Sequence, residues 1–123
     1  MSKVISFENA KALKSIGYNE PCYAKYTDSG ELKIGEVYYN NDLENEYCAP
    51  SFSDVVIWFD NKNFTIGVMR ESAYGLSPMY EWVTNYDYNG IYSQSSAFTD
   101  SMEEGYNAAI EWATNTVLEF YTK

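Results

Sequence analysis

The sequence predicts a single α+β domain spanning residues 1–123, in which antiparallel hairpins form a sheet with helices packed on one face, as a two-layer sandwich. The chain has 123 residues, of which 46% are hydrophobic, and this is enough to bury a core without disulfides or metals. Its apolar residues change along the chain from the three-and-four spacing of helices to the alternation of strands. Glycine-containing turn signals join neighbouring strands as hairpins. The predicted order of elements is α-β-β-α-β-β-β-α.

The first elements are a short amphipathic helix and a hairpin. The helix is predicted over residues 7–16, with Ser6 as its N-cap. Its apolar face is formed by Phe7, Ala10, Leu13 and Ile16. Strands over 23–27 and 32–39 follow, because they flank a turn at 28–31 that contains glycine.

The middle of the chain contains a loop, a helix and a strand. The polar segment 40–47 is predicted as a loop, after which Ser51 caps a helix over 52–62. Three apolar residues at helical spacing form its core face, namely Val55, Trp58 and Phe59. A strand begins at Phe64, where Phe64, Ile66 and Val68 alternate with polar or small residues. The segment 71–78 is predicted as a long, mobile loop.

The last elements are a hairpin and the longest helix. Strands over 79–86 and 91–94 are joined by Asn89 and Gly90, a strong two-residue hairpin signal. The final helix begins at Ser101 and extends to residue 120. Its apolar face is predicted to contain Met102, Tyr106, Ala109, Ile110, Ala113, Val117 and Phe120.

Charge and cysteine usage restrict the compartment and the partners. The formal net charge is −10. Residues 36–123 alone have three bases and fourteen acids, which gives this segment a net charge of −11. This acidity disfavours direct binding to nucleic acid or to an anionic membrane. Cys22 and Cys48 form no C-x-x-C pair, and no apolar run approaches the length of a secretory signal core or a membrane span. We expect a cytoplasmic protein with reduced thiols.

The residue types needed for common catalysis are mostly missing. The chain has no histidine, which removes Ser-His, Cys-His and most zinc arrangements. Cys48 precedes a predicted helix start and could be an activated nucleophile, although an inert thiol is the favoured interpretation. Four residues, Asn40, Asp42, Glu44 and Glu46, alternate like calcium ligands but lack the glycine and spaced glutamate of a calcium loop, which favours a solvated loop. We therefore predict no catalytic residue, no cofactor and no metal site.

An aromatic cluster on the predicted 79–86 strand is a candidate contact surface. Tyr80, Trp82 and Tyr86 share one strand face by their period of two, and Tyr88 and Tyr92 follow in the hairpin. Burial in the core is the favoured interpretation, because polar residues share the opposite face. The alternative is a partner-binding surface, since tyrosine and tryptophan dominate interface hot spots.

Acidic residues of the last helix form a second candidate surface. Glu103, Glu104 and Glu111 lie along this helix without a nearby base. Their clustering in the first turn is largely explained by the positive end of the helix dipole. Carboxylates spaced like backbone phosphates would instead allow the protein to mimic nucleic acid and occupy the site of a host protein.

Three segments carry a resemblance to a known family. They are 16–22, with the sequence IGYNEPC, 49–59, with the sequence APSFSDVVIWF, and 101–109 at the start of the last helix. In their order along the chain they resemble a family of small bacterial proteins encoded in phages, prophages and related mobile elements. The resemblance implies no activity, cofactor or catalytic residue.

The favoured function is that of a non-enzymatic interaction module that docks a protein partner or a second copy of itself. An acidic decoy is the second hypothesis. An enzyme that uses carboxylates or tyrosine is the third, and no residue pattern identifies its substrate.

Overall fold

A computed structural model describes residues 4–71, 79–88 and 91–121, with the side chains of residues 86–88, 91–96, 120 and 121 outside this description. The elements in chain order are α1 (Phe7–Ser15), β1 (Cys22–Tyr26), β2 (Leu32–Tyr38), a 3₁₀ turn (Asn40–Asp42), β3 (Tyr47–Cys48), α2 (Phe52–Asp60), β4 (Phe64–Glu71), β5 (Met79–Tyr88), β6 (Ile91–Thr99) and α3 (Met102–Tyr121). The α+β class and the order of elements are confirmed, with β3 as one addition.

The strands form two separate three-stranded antiparallel sheets, in place of the single sheet that the sequence predicts. The first sheet has the order β2-β1-β3 and the second the order β4-β5-β6. The α2 helix lies between them in the chain, so each sheet is built from a contiguous segment. Local hairpin pairing therefore accounts for nearly all of the strand order.

The first sheet contains the strand that the sequence does not predict. β3 pairs with β1 through only two residue pairs, Lys25 with Cys48 and Tyr26 with Tyr47. The buried side chain of Asn40 holds the preceding segment in place, because it donates to the Tyr18 carbonyl and accepts from the Cys48 N–H, each at 2.8 Å. Half of the segment predicted as a loop is therefore tied to the sheet.

The second sheet is longer than predicted at both ends. β6 continues to Thr99, and its register with β5 is unbroken from Tyr88 opposite Ile91 to Tyr80 opposite Thr99. Glu71, predicted to begin a loop, is the last residue of β4. Residues 72–78 of that loop and the turn at 89–90 lie outside the described residues.

The helices follow their caps and apolar faces. The hydroxyl groups of Ser6 and Ser51 accept from the backbone N–H three residues later, each at 3.2 Å, as predicted. Helix α3 packs closely on β4, since a Cβ added at Gly105 would lie 3.0 Å from Val68 Cγ1. The prediction that Met102 lies on the buried face is wrong, since this residue is 44% exposed. Met102 is the first residue of α3 and precedes the part of the helix that contacts the sheet.

The core lies between the helices and the second sheet. Phe59, Phe64 and Trp112 form a chain of edge-to-face ring contacts, with centroids 5.4 and 6.4 Å apart. The hydrophobic core also contains other buried side chains, which include Ile5, Leu13, Tyr18, Val55, Ile66, Trp82, Ala109, Ile110, Ala113 and Val117. The Asn107 side chain joins α3 to the N-terminal segment, accepting from the Ser6 N–H at 2.9 Å and from Asn9 Nδ2 at 3.1 Å. These contacts place α1 against the C-terminal helix.

None of the helices in the described ranges is long and apolar enough to cross a membrane.

Candidate protein-binding surface

Three large apolar side chains from three different elements are exposed near the first sheet. Tyr23 of β1, Ile34 of β2 and Ile57 of α2 have 69%, 75% and 61% of their surface exposed. Single exposed apolar residues are ordinary on protein surfaces, whereas adjoining ones indicate a contact site. Their relative position is therefore decisive.

Two neighbouring depressions join these three side chains into one surface. The larger has a volume of about 400 Å³ and is lined by Tyr18, Glu20, Pro21, Tyr23, Asp54, Ile57, Trp58 and Asn61. The smaller has a volume of about 210 Å³ and is lined by Val4, Cys22, Tyr23, Ala24, Ile34, Ala49, Pro50, Ser51 and Asp54. Both contain Tyr23 and Asp54, so the depressions adjoin. We call their combined lining the Tyr23 surface.

The local structure explains why these side chains point outward. Tyr23 alternates with Cys22 and Ala24, which are buried, as the pleat of β1 requires. Ile57 lies two positions from both Val55 and Phe59 in α2, and this spacing places it on the other side of the helix. Strand β2 is exposed over almost its whole length, and among the described strands it pairs with β1 alone.

The Tyr23 surface is acidic. Its lining residues include the carboxylates of Glu20 and Asp54 and neither a lysine nor an arginine. Both carboxylates act on Tyr18, which lines the larger depression. Burial raises the pKa of Tyr18 well above its ordinary value, and the nearby Cys22, Asp54 and Glu20 raise it further. The surface therefore combines apolar side chains with two acids, and Lys62, which lies over the Trp58 ring, is a base at its margin.

A pair of thiols lies beneath this surface. Cys22 and Cys48 are both buried and reduced, and their side chains lie within hydrogen-bonding reach of each other. The neighbouring Cys48 sulfur, together with burial, raises the pKa of the Cys22 thiol. The Cys22 side chain in turn lowers the pKa of Cys48, and the Cys22 S–H donates to the Glu20 carbonyl at 3.4 Å. Both residues are 1% exposed, so neither sulfur is accessible to a substrate in the folded protein.

The predicted aromatic cluster divides in the structure. Trp82 is 8% exposed and belongs to the core, packed on the same face of β5 as the buried Thr84. Tyr80 is half-buried. The side chains of Tyr86, Tyr88 and Tyr92 lie outside the described residues. The described part of this cluster therefore faces the core.

The predicted acidic residues of α3 are exposed. Glu104 and Glu111 line a groove of about 540 Å³ between α1 and α3, together with Glu8 of α1. The Glu104 carboxylate also accepts from the Asp100 N–H at 3.3 Å, in the manner of a capping residue. Glu103 does not line this groove. The structure thus brings two of the three predicted residues together and adds Glu8.

The calcium-like spacing of residues 40–46 has a structural explanation. The Asn40 amide is used within the protein, as described above, and Glu46 Oε1 accepts from Lys25 Nζ at 2.7 Å. In the described ranges, no three His, Cys, Asp or Glu side chains are grouped so as to hold a metal ion.

Tyr23, Ile34 and Ile57 are not among the site residues that the sequence predicts. Each carries a weak signal, because Tyr23 and Ile34 lie in predicted strands and Ile57 is outside the predicted core face of its helix. Their convergence depends on how β1, β2 and α2 are packed, and local periodicity does not contain this information.

Comparisons of the chain with protein-family models, with curated proteins and with solved structures found no match. The resemblance to phage-encoded proteins therefore stays a prediction.

Proposed function

We propose that this protein is a non-enzymatic interaction module that binds a protein partner through the Tyr23 surface. One observation carries the proposal: three apolar side chains from three elements, each more than 60% exposed, meet around two adjoining depressions. Contiguous exposed apolar surface is typical of protein interaction sites. The edge of β2, which among the described strands pairs on one side only, adds main-chain donors and acceptors at the same place.

Charge favours a different protein over a second copy as the partner. A symmetric dimer through this surface would bring Glu20 and Asp54 close to the same residues of the other copy. Like charges facing each other in an interface oppose association, and the two acids outnumber Lys62, the base that lies over Trp58. The partner is therefore expected to present an apolar surface with basic residues around it.

The surface can be tested by paired double variants. Ile34→Glu with Ile57→Glu adds charge to the Tyr23 surface, while Met69→Glu with Phe98→Glu adds the same charge on the second sheet. All four positions are more than half exposed. Met69 and Phe98 lie opposite Glu81 in the sheet, where added carboxylates lower stability, so circular dichroism must show that this control remains folded at the temperature of the assay. Tagged wild-type and variant proteins would be used to capture partners from a nuclease-treated lysate of the source cells.

We expect the wild-type protein to retain a stoichiometric partner, the Ile34/Ile57 variant to lose it, and the Met69/Phe98 variant to keep it. A photo-crosslinking residue at position 23 should form a covalent adduct with the same partner. Equal capture by both variants, the reverse pattern, or no stoichiometric partner for the wild-type protein would each contradict the proposal.

An acidic decoy is a second proposed function, favoured by the groove that Glu8, Glu104 and Glu111 line. Glu104 and Glu111 are seven residues apart, which places them on one helix face about 10 Å from each other along the axis. If this function is correct, Glu104→Gln with Glu111→Gln should weaken binding to a captured nucleic-acid-binding protein. Asp28→Asn with Glu44→Gln changes the net charge equally at exposed positions outside the groove, and serves as the control. Equal effects of the two pairs would contradict the decoy.

A further inference from the structure

The larger depression of the Tyr23 surface has the composition of a site for an organic cation. Glu20 and Asp54 are its charged lining residues, and aromatic rings of Tyr18, Tyr23 and Trp58 form much of the rest. Carboxylates attract a cation by charge, and aromatic faces attract it through their quadrupole. The two kinds of group act at the same place here. Neither a helix terminus nor an acidic cluster alone would supply this combination.

Both carboxylates line the depression and act on the charge of the Tyr18 phenol. Both contribute to the raised pKa of Tyr18, whose side chain is 1% exposed at the floor. A cation that entered would meet both charges at once.

The Trp58 indole forms a wall that can receive a cation. Its ring centroid lies 5.2 Å from that of Tyr18, and the two planes are tilted by 59°. Lys62 Nζ lies over the Trp58 ring, 4.6 Å from its centroid, so a guanidinium that binds this face would displace a cation of the same chain. The tilted pair of rings and the half-buried position of Trp58 hold the wall in a fixed orientation.

We propose that this depression binds an arginine side chain of the protein partner, with the guanidinium group on Trp58 and hydrogen bonds to Glu20 and Asp54. This inference rests on the proposed function and names the chemistry that the partner presents. Guanidinium is favoured over ammonium because it is planar, stacks on aromatic rings and donates to two carboxylates in different directions. The volume of about 400 Å³ is within the range of sites that enclose a side chain of this size.

The test is a titration of isotope-labelled protein with N-acetyl-arginine N-methylamide, followed by amide chemical shifts. We expect shifts concentrated at residues 18–23 and 54–61, with a dissociation constant of roughly 1–10 mM, as for a single anchoring side chain. The citrulline analogue has nearly the same shape without the charge, and it should bind at least about tenfold more weakly. The lysine analogue should bind at least about threefold more weakly than the arginine analogue, because an ammonium group cannot stack on the ring or form bidentate hydrogen bonds.

The variants follow from the same geometry. Glu20→Gln with Asp54→Asn should weaken arginine binding at least about tenfold. Asp28→Asn with Glu44→Gln, two exposed acids outside the depression, should leave it unchanged within about twofold. Equal binding of arginine and citrulline analogues, shifts outside the depression, or unchanged binding by the Glu20/Asp54 variant would overturn the proposal.

The failure of this inference can be told apart from failure of the proposed function. If the arginine analogue does not bind but the Ile34/Ile57 variant still loses its partner, the interaction surface stands and the arginine site falls. If the analogue binds but the partner is retained by that variant, the cation site stands and the proposed docking surface falls.

Discussion

Asn40 is a buried polar side chain on which three segments of the chain depend. Its amide connects the carbonyl of Tyr18 and the N–H of Cys48, each at 2.8 Å, and only 2% of the residue is exposed. Asn40→Ala would leave both backbone groups without partners and without access to water. We expect the free energy of unfolding to fall by about 2–4 kcal/mol, measured by urea denaturation.

The neighbouring residue provides the control for Asn40. Asn41 is exposed, and Asn41→Ala should change stability by less than about 0.5 kcal/mol. Equal small effects of the two substitutions would show that Asn40 does not link the segments.

Thr84 presents the opposite case, a buried hydroxyl without a hydrogen-bond partner. It lies on β5 with 0% exposure, and within the described part of the chain its Oγ1 has no hydrogen-bond partner. Thr84→Val keeps the shape and removes the unpaired group, so we expect the free energy of unfolding to rise by about 1 kcal/mol.

Thr114 is the matched comparison for Thr84. It is equally buried, but its hydroxyl donates to the Glu111 carbonyl at 2.9 Å. Thr114→Val should therefore lower stability by about 0.5–1 kcal/mol. The two substitutions have opposite signs if hydrogen bonding decides the outcome, and the same sign would contradict this account.

At the scale of elements, the helices could be predicted well from the sequence. Serine caps and one apolar face gave α1 and α2 to within two residues of their observed ends. The reason is that caps and faces are local properties of the chain. Strand β3 could not be predicted, because two residues have no periodicity and pair only where β1 offers a partner.

The candidate site was less predictable than the elements. Tyr80 and Trp82 gave a clear alternating pattern, but such a pattern shows that a face is apolar without showing what covers it. In the structure the core covers Trp82. Ile57 and Tyr23 become neighbours only through the packing of α2 beside β1, and sequence spacing does not encode this distance.

The N-cap of α2 is predicted to stabilise the start of this helix, which carries Asp54 of the Tyr23 surface. Ser51 Oγ accepts from the Asp54 N–H at 3.2 Å, and Asp54 is shared by both depressions. Ser51→Ala should lower the free energy of unfolding by about 1 kcal/mol, while Ser51→Asp should preserve it. Ser53→Ala, an exposed position in the same turn, is the control in thermal denaturation. A loss for Ser51→Asp as large as for Ser51→Ala would argue against the cap.

The second sheet contains two acidic residues, Glu71 and Glu81, whose carboxylates repel each other. Burial and the nearby Glu71 carboxylate, which is also a hydrogen-bond partner, raise the pKa of Glu81 above its ordinary value. Because the folded protein then holds this proton more tightly than the unfolded chain, ionisation of Glu81 reduces stability as the pH rises through its range. The penalty is absent below the pKa of the unfolded chain and fully present at neutral pH.

Glu81→Gln should therefore raise the melting temperature at about pH 7 and leave it nearly unchanged at about pH 3.5, where Glu81 is largely protonated in both the folded and the unfolded protein. Glu44→Gln is the control, since Glu44 is exposed on a different part of the surface. An equal shift at both pH values would show that the side-chain amide acts by some effect other than charge.

At the scale of the whole molecule, the protein has eighteen acids and eight bases, so repulsion between its carboxylates destabilises the folded state. The described part of the chain also contains the ion pairs Lys25–Glu46 and Lys33–Glu31, which salt would weaken. Ion pairs as exposed as Lys33–Glu31 contribute little to stability. The two effects of salt have opposite signs, and the excess of acids decides which is larger.

Added salt should consequently stabilise the free protein and weaken its complex. Raising NaCl from about 20 to 500 mM shortens the screening length from about 20 to 4 Å, which removes most of the repulsion between surface carboxylates. We expect a higher melting temperature in high salt, with a smaller increase for the Asp28→Asn/Glu44→Gln variant because it carries less charge. The same salt should slow association with a basic partner, since attraction to Glu20 and Asp54 is screened. A complex that becomes tighter in high salt would mean that the partner meets this surface through apolar contacts alone.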